Sequence, residues 1–166
     1  MHLVLATLAA LSGASATPAP PPPCVGTEYR QWDFWLGSWR VTDPKGAPQG
    51  SSRVVSAAHG CGFEEHWTSR NGGEGESFNA YDPVRKTWTQ FWTGGGSIIR
   101  LEGRLEAPGL MRLKGTLDNQ TGGPEHQFTG DWTLLPDGTV KQEFHDQDPT
   151  THIWSTWFVG IYHHAS

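Results

Sequence analysis

Apolar and polar residues alternate with a period of two along this chain, in runs that recur every ten to twelve residues. No segment sustains a 3.6-residue period, so the pattern specifies strands, whose successive side chains face opposite ways, and not helices. Ten runs are predicted as strands: 35–43, 50–58, 62–70, 76–82, 87–93, 97–105, 110–118, 125–135, 139–147 and 152–163. Between them lie turn clusters such as Pro44-Lys45-Gly46, Asn71-Gly72-Gly73, Gly94-Gly95-Gly96 and Pro136-Asp137-Gly138. Glycine supplies positive φ there, while proline and aspartate preset the bend. A β-sandwich needs longer crossovers than these. Hairpin-linked strands form a meander, and closing it removes both unpaired edges. The fold class predicted is all-β, a single closed antiparallel up-and-down barrel of about ten strands.

One stretch says where such a barrel closes. Trp32-Asp33-Phe34-Trp35-Leu36-Gly37-Ser38-Trp39 precedes the first strand. Gly37 allows backbone and ring to approach closely, and Trp39 can plug the floor while its indole N–H reaches a carbonyl. Nine Trp and 21 Gly in 166 residues agree with short strands and tight turns. A formal charge of −5 without a basic cluster argues against nucleic acid or an anionic membrane as partner.

Residues 3–11 are apolar but too few to span a bilayer. Ala14-Ser15-Ala16 follows with a signal-peptidase pattern, so 1–16 reads as a cleaved secretory signal. Residues 17–25 read as an extended proline-rich spacer, and 26–166 as the barrel domain. The mature chain is expected to be secreted or periplasmic, without a transmembrane segment. Cys24 and Cys61 are the two cysteines, and an even pair in an exported protein points to one disulfide. Two free thiols are the alternative.

The apolar phase of each strand assigns its inner face. Phe63, Glu65 and Trp67 share one face; so do Trp88, Gln90 and Trp92, with Thr87, Thr89 and Thr93 turned to solvent. Met111, Leu113 and Leu117 point inward, as do His126, Phe128 and Trp132, and Val140, Gln142 and Phe144. The last strand is apolar on both faces, which leaves its phase open. The inner wall therefore carries four polar groups, Glu65, Gln90, His126 and Gln142, among aromatics. An unpartnered buried polar group costs roughly 1–3 kcal/mol, so these either bond one another and water or line a ligand cavity.

Several stretches together resemble a family of exported bacterial lipocalin-like (calycin-type) proteins catalogued as a domain of unknown function. They are Phe34-Trp35-Leu36-Gly37-Ser38-Trp39, Gly60-Cys61-Gly62-Phe63-Glu64-Glu65-His66-Trp67, Ser77-Phe78-Asn79-Ala80-Tyr81-Asp82-Pro83, Trp88-Thr89-Gln90-Phe91-Trp92 and Gly160-Ile161-Tyr162. The resemblance runs from about residue 26 to the end. It implies a barrel like those of lipocalins and fatty-acid-binding proteins, and a pairing of Cys24 with Cys61. Such barrels often close with a basic residue of the last strand over the first-strand tryptophan. Here His163 and His164 stand near that place, with no Arg or Lys.

The function expected is binding of a small, partly apolar or amphipathic molecule. Glu65, Trp67, Gln90, Trp92, His126 and Gln142 would line its site, with Gly37 and Trp39 closing the barrel. Glu65, if desolvated between Phe63 and Trp67, could instead serve as a general acid or base of an isomerase- or cyclase-type chamber. The plainer alternative is a carboxylate bonded to Asn79 or Tyr81. A haem barrel of nitrobindin type would need a lumen-facing histidine near the end, from His152, His163 or His164. No His-x-His, zinc-type run or Gly-x-Ser-x-Gly occurs, so no metal and no cofactor is expected. A barrel with a filled interior, acting as a structural module, is the remaining reading.

Overall fold

A computed structural model of the chain describes residues 24–165. The segment read as a signal, and the spacer up to residue 23, lie outside the described residues. Ten strands form one closed antiparallel barrel: β1 (Gly37–Thr42), β2 (Pro48–Ala57), β3 (Gly62–Ser69), β4 (Glu74–Asp82), β5 (Thr87–Gly94), β6 (Ser97–Ala107), β7 (Leu110–Asp118), β8 (His126–Leu134), β9 (Val140–Gln147) and β10 (Trp154–His164). Each strand pairs with its sequence neighbours, and β10 closes on β1 from Trp39 opposite His164 to Thr42 opposite Ile161. The ten predicted strands are all present, with ends moved by at most two residues. Closure leaves no free edge, which suits a chain whose outer face carries half-exposed Phe78 and Phe91.

Short 3-10 turns occupy Thr27–Arg30, Asp33–Trp35 and Ala58–Gly60. The first two carry Trp32 and Trp35 into the barrel, where both are fully buried. Trp32 stacks on Trp35 at 5.7 Å and meets Trp132 edge-on at 4.7 Å and Trp88 at 5.6 Å. Phe63 completes this floor at 5.2 Å from Trp32. Five large rings thus fill one end of the barrel, each pair worth about 0.5–1.5 kcal/mol beyond area burial. The plug expected of Trp39 is shared: Trp32 and Trp35 fill the floor and Trp39 seals its rim.

Trp39 Nε1 donates to the Trp35 carbonyl at 2.9 Å, the bond its position predicts. His164 stacks on the same indole, with centroids 4.0 Å apart. Gly37 has φ +143, a region that favours glycine, and a Cβ there would reach the Trp39 ring at 3.5 Å. A disulfide joins Cys24 to Cys61 and fastens the floor segment to the β2–β3 turn. The Arg30 guanidinium adds a bond to the Gly60 carbonyl.

One expected exposure fails. Thr87 keeps the outward phase of Thr89 but is buried, and its hydroxyl donates to Glu102 Oε1 of β6 at 2.9 Å. The undetermined phase of β10 resolves through a bulge between Thr156 and Phe158. The extra residue, Trp157, joins Phe158 on the inner side, followed by Gly160 and Tyr162. A bulge re-aims one side chain without disturbing the ladder beyond it.

Candidate functional site

Above the aromatic floor a buried polar belt runs along the inner wall. Gln90 Nε2 on β5 donates to Asn79 Oδ1 of β4, its cross-strand partner, at 2.9 Å. Asn79 Nδ2 donates to Ser77 Oγ at 2.9 Å. Ser77 lies opposite Glu65 of β3 and hydrogen-bonds its carboxyl. Ser52 Oγ of β2 donates to Glu65 Oε1 at 2.8 Å. From the other side the Tyr162 hydroxyl of β10 stands 3.5 Å from the same oxygen and also bonds Gln142 Oε1 of β9. A phenol has one proton, so Tyr162 serves Glu65 or Gln142 at any moment, not both.

Glu65 is the centre of this belt. It is 3% exposed, and the groups facing it are Ser52, Ser77, Tyr162 and Gln142, none of them a cation. Desolvation outweighs the three hydroxyl bonds and pushes its carboxyl up to about 7. Tyr162, buried beside it, is pushed well above the usual phenol range by burial and then by the carboxylate charge. The alternative partners Asn79 and Tyr81 fare differently: Asn79 reaches Glu65 through Ser77, and Tyr81 packs against Tyr29 and Trp88.

Over the belt a cavity of about 400 Å³ opens between the β3–β4 and β5–β6 turns. Its floor is Glu65, Gln142 and Tyr162; its walls include Trp67, Trp92, Phe144, Trp157 and Phe158. The rings form an unbroken series: Trp67 to Phe158 at 5.9 Å, Phe158 to Phe144 at 6.2 Å, Phe144 to Trp157 at 6.0 Å and Trp157 to Trp92 at 6.4 Å. β10 and β5 face each other across the barrel, so Trp157 spans the lumen to meet Trp92. Glycines make room for the rings. A Cβ at Gly75 would sit 2.5 Å from Trp92, one at Gly50 2.8 Å from Trp67, and one at Gly160 2.7 Å from Phe158.

Four of the six expected site residues, Glu65, Trp67, Trp92 and Gln142, line this cavity. Gln90 and His126 do not. Gln90 points inward as expected, but it lies in the belt beside Asn79, and its Oε1 is buried without a partner. His126 has the inward phase too, but sits at the open end of β8, where Asp146 of β9 holds its Nδ1 at 3.1 Å. Ser155 donates to the other oxygen of Asp146 at 2.8 Å, which completes a separate cluster.

The histidines considered for haem do not face the cavity. His164 covers Trp39, His163 bonds Thr42 Oγ1 at 3.2 Å, and His152 is exposed in the β9–β10 turn. None of these three histidines is therefore placed as a lumen-facing haem ligand. Among the described residues no group of three or more His, Cys, Asp or Glu is placed to hold a metal ion, and no helix is long and apolar enough to cross a membrane. No protein-family model matches the chain, and no curated protein matches it.

Proposed function

We propose that this protein is an exported lipocalin-like barrel that binds a small, partly apolar molecule in its aromatic-lined lumen. The observation that carries the reading is the division of the barrel interior. One end is packed solid with indoles, whereas the other keeps a cavity of about 400 Å³ that ends on three polar groups. That volume suits a drug-sized ligand, and apolar walls with few convergent polar groups are the usual make-up of such sites. Closed ten-strand topology, the histidine-capped Trp39 and the Cys24–Cys61 bridge support membership of the calycin-type family and an oxidising compartment.

Tryptophan quenching and native mass spectrometry against lipids, quinones and aromatic compounds test the proposal. Quenching should reside in Trp67, Trp92 and Trp157, and vanish with their replacement by phenylalanine. If no ligand class perturbs these indoles in the folded protein, the binding reading fails. A second reading rests on Glu65, whose carboxyl ionises near 7 at the cavity floor, as an acid–base group needs. It requires a turnover whose pH–rate curve bends near 7 and which Glu65→Gln abolishes; a rate indifferent to that change ends it.

A further inference from the structure

The charge inventory of the cavity is one-sided. Among the described residues that line it, Arg70 is the one cation, and it is exposed in the β3–β4 turn at the lip, near Glu74. The floor holds the Glu65 carboxyl. From β2 it is faced by Ser52, from β4 by Ser77, from β9 by Gln142 and from β10 by Tyr162, the last being, among the described residues, the other titratable group there. A buried carboxylate without a counter-charge is an expensive arrangement. Within the wall the hydroxyls of Ser52, Ser77 and Tyr162 relieve it in part, but they bring no positive charge.

The wall above is suited to a positive charge. Trp67, Trp92 and Phe158 lie so close to Gly50, Gly75 and Gly160 that a Cβ there would meet the rings, and all three line the lumen beside Phe144 and Trp157. Aromatic faces attract ammonium groups, indole most strongly, and more so away from water. An anionic ligand would bring a second negative group to Glu65. A neutral one would leave that carboxyl unpaired.

We infer that the cavity takes an organic cation, a protonated amine on an apolar body, with its ammonium at Glu65 and its body among Trp67, Trp92, Phe144, Trp157 and Phe158. This rests on the lumen being a ligand site. Ammonium and carboxylate form a charge-assisted hydrogen bond, roughly twice as strong as its neutral counterpart. The bound cation also supplies the charge whose absence holds the Glu65 proton on, so binding releases a proton near neutral pH.

Calorimetric titration of the folded protein at about pH 8 with phenylbutylamine, phenylbutanol and phenylbutyrate, and with the phenyloctyl set, tests the assignment. The amine should bind about ten-fold or more tighter than the alcohol, with the carboxylate weakest. Glu65→Gln should abolish the preference for the amine over the alcohol. In the wild-type protein, independently of any variant, the preference should shrink at about pH 5, where Glu65 is protonated. An alcohol or carboxylate that binds as tightly as the amine overturns the cation assignment and leaves the cavity reading intact. So does an amine preference that survives Glu65→Gln or persists unchanged in acid. Failure of all three chemistries at both lengths removes the lumen site itself.

Discussion

Replacement of Glu65 by glutamine should erase a pH dependence of stability that the wild-type barrel carries. The folded carboxyl ionises at about 7 against an ordinary value of 4.5, because burial strips its hydration and no cation compensates. Between those values the folded state keeps a proton that the unfolded chain has released, so stability falls as pH rises. The contribution is fully present below 4.5 and is lost as pH climbs through 7. At about 1.36 kcal/mol per pH unit of displacement, the full gap is worth about 3 kcal/mol. Of this, about 2–3 kcal/mol disappears between about pH 5 and about pH 8. Glutamine keeps the shape and can still bond Ser52, Ser77 and Tyr162, but has no charge to desolvate. Urea unfolding of both proteins across that range gives the difference directly, since histidines and surface carboxylates common to both cancel. Wild type minus variant should decline by about 2–3 kcal/mol from acid to base. A difference constant to within about 0.5 kcal/mol would mean that Glu65 ionises in contact with water, and the enclosed cavity floor would be refuted.

Replacing Cys24 and Cys61 together by serine should cost about 4 kcal/mol on a chain-entropy estimate for the 37-residue separation, read as a lower urea midpoint. The emission of Trp32 and Trp35 should shift to the red with it, because the bridge holds their segment in the floor. Gly75→Ala places a methyl 2.5 Å from Trp92, so the indole must move; about 1–3 kcal/mol of destabilisation and an altered near-ultraviolet dichroism are expected. Trp157→Ala removes the ring that spans the lumen to Trp92, and bound ligand should dissociate faster with little change in unfolding free energy, as stopped-flow displacement will show.

Much of this fold was legible because turns and alternation act locally. Every strand run is bounded by turn residues, and hairpin-length links leave little choice of neighbour. The inner placement of Glu65, Gln90 and Gln142 followed from the same alternation. The rest of the site depends on contacts that no local pattern carries. Tyr162 and Phe158 lie on a strand apolar on both faces, and a bulge at Trp157 changes the phase midway. Ser52 and Ser77 are small and unremarkable in sequence; only the register that sets Ser77 opposite Glu65, and Ser52 two pairs away opposite Trp67, makes them its partners. Their shared inward phase with Glu65 was the available signal. His126 had the right phase at the wrong height, for alternation reports the face and not the level along the barrel axis.

The two oxygen-bearing groups that meet at the belt, Glu65 and Tyr162, are separated by 97 positions in the chain. Loop-closure entropy delays such encounters until the intervening hairpins have zipped. During refolding the carboxyl therefore stays hydrated until the C-terminal ribbon docks, and the dehydration cost falls on that final annealing step. Mild acid, by neutralising the group beforehand, should hasten closure of the barrel as well as steady the finished one.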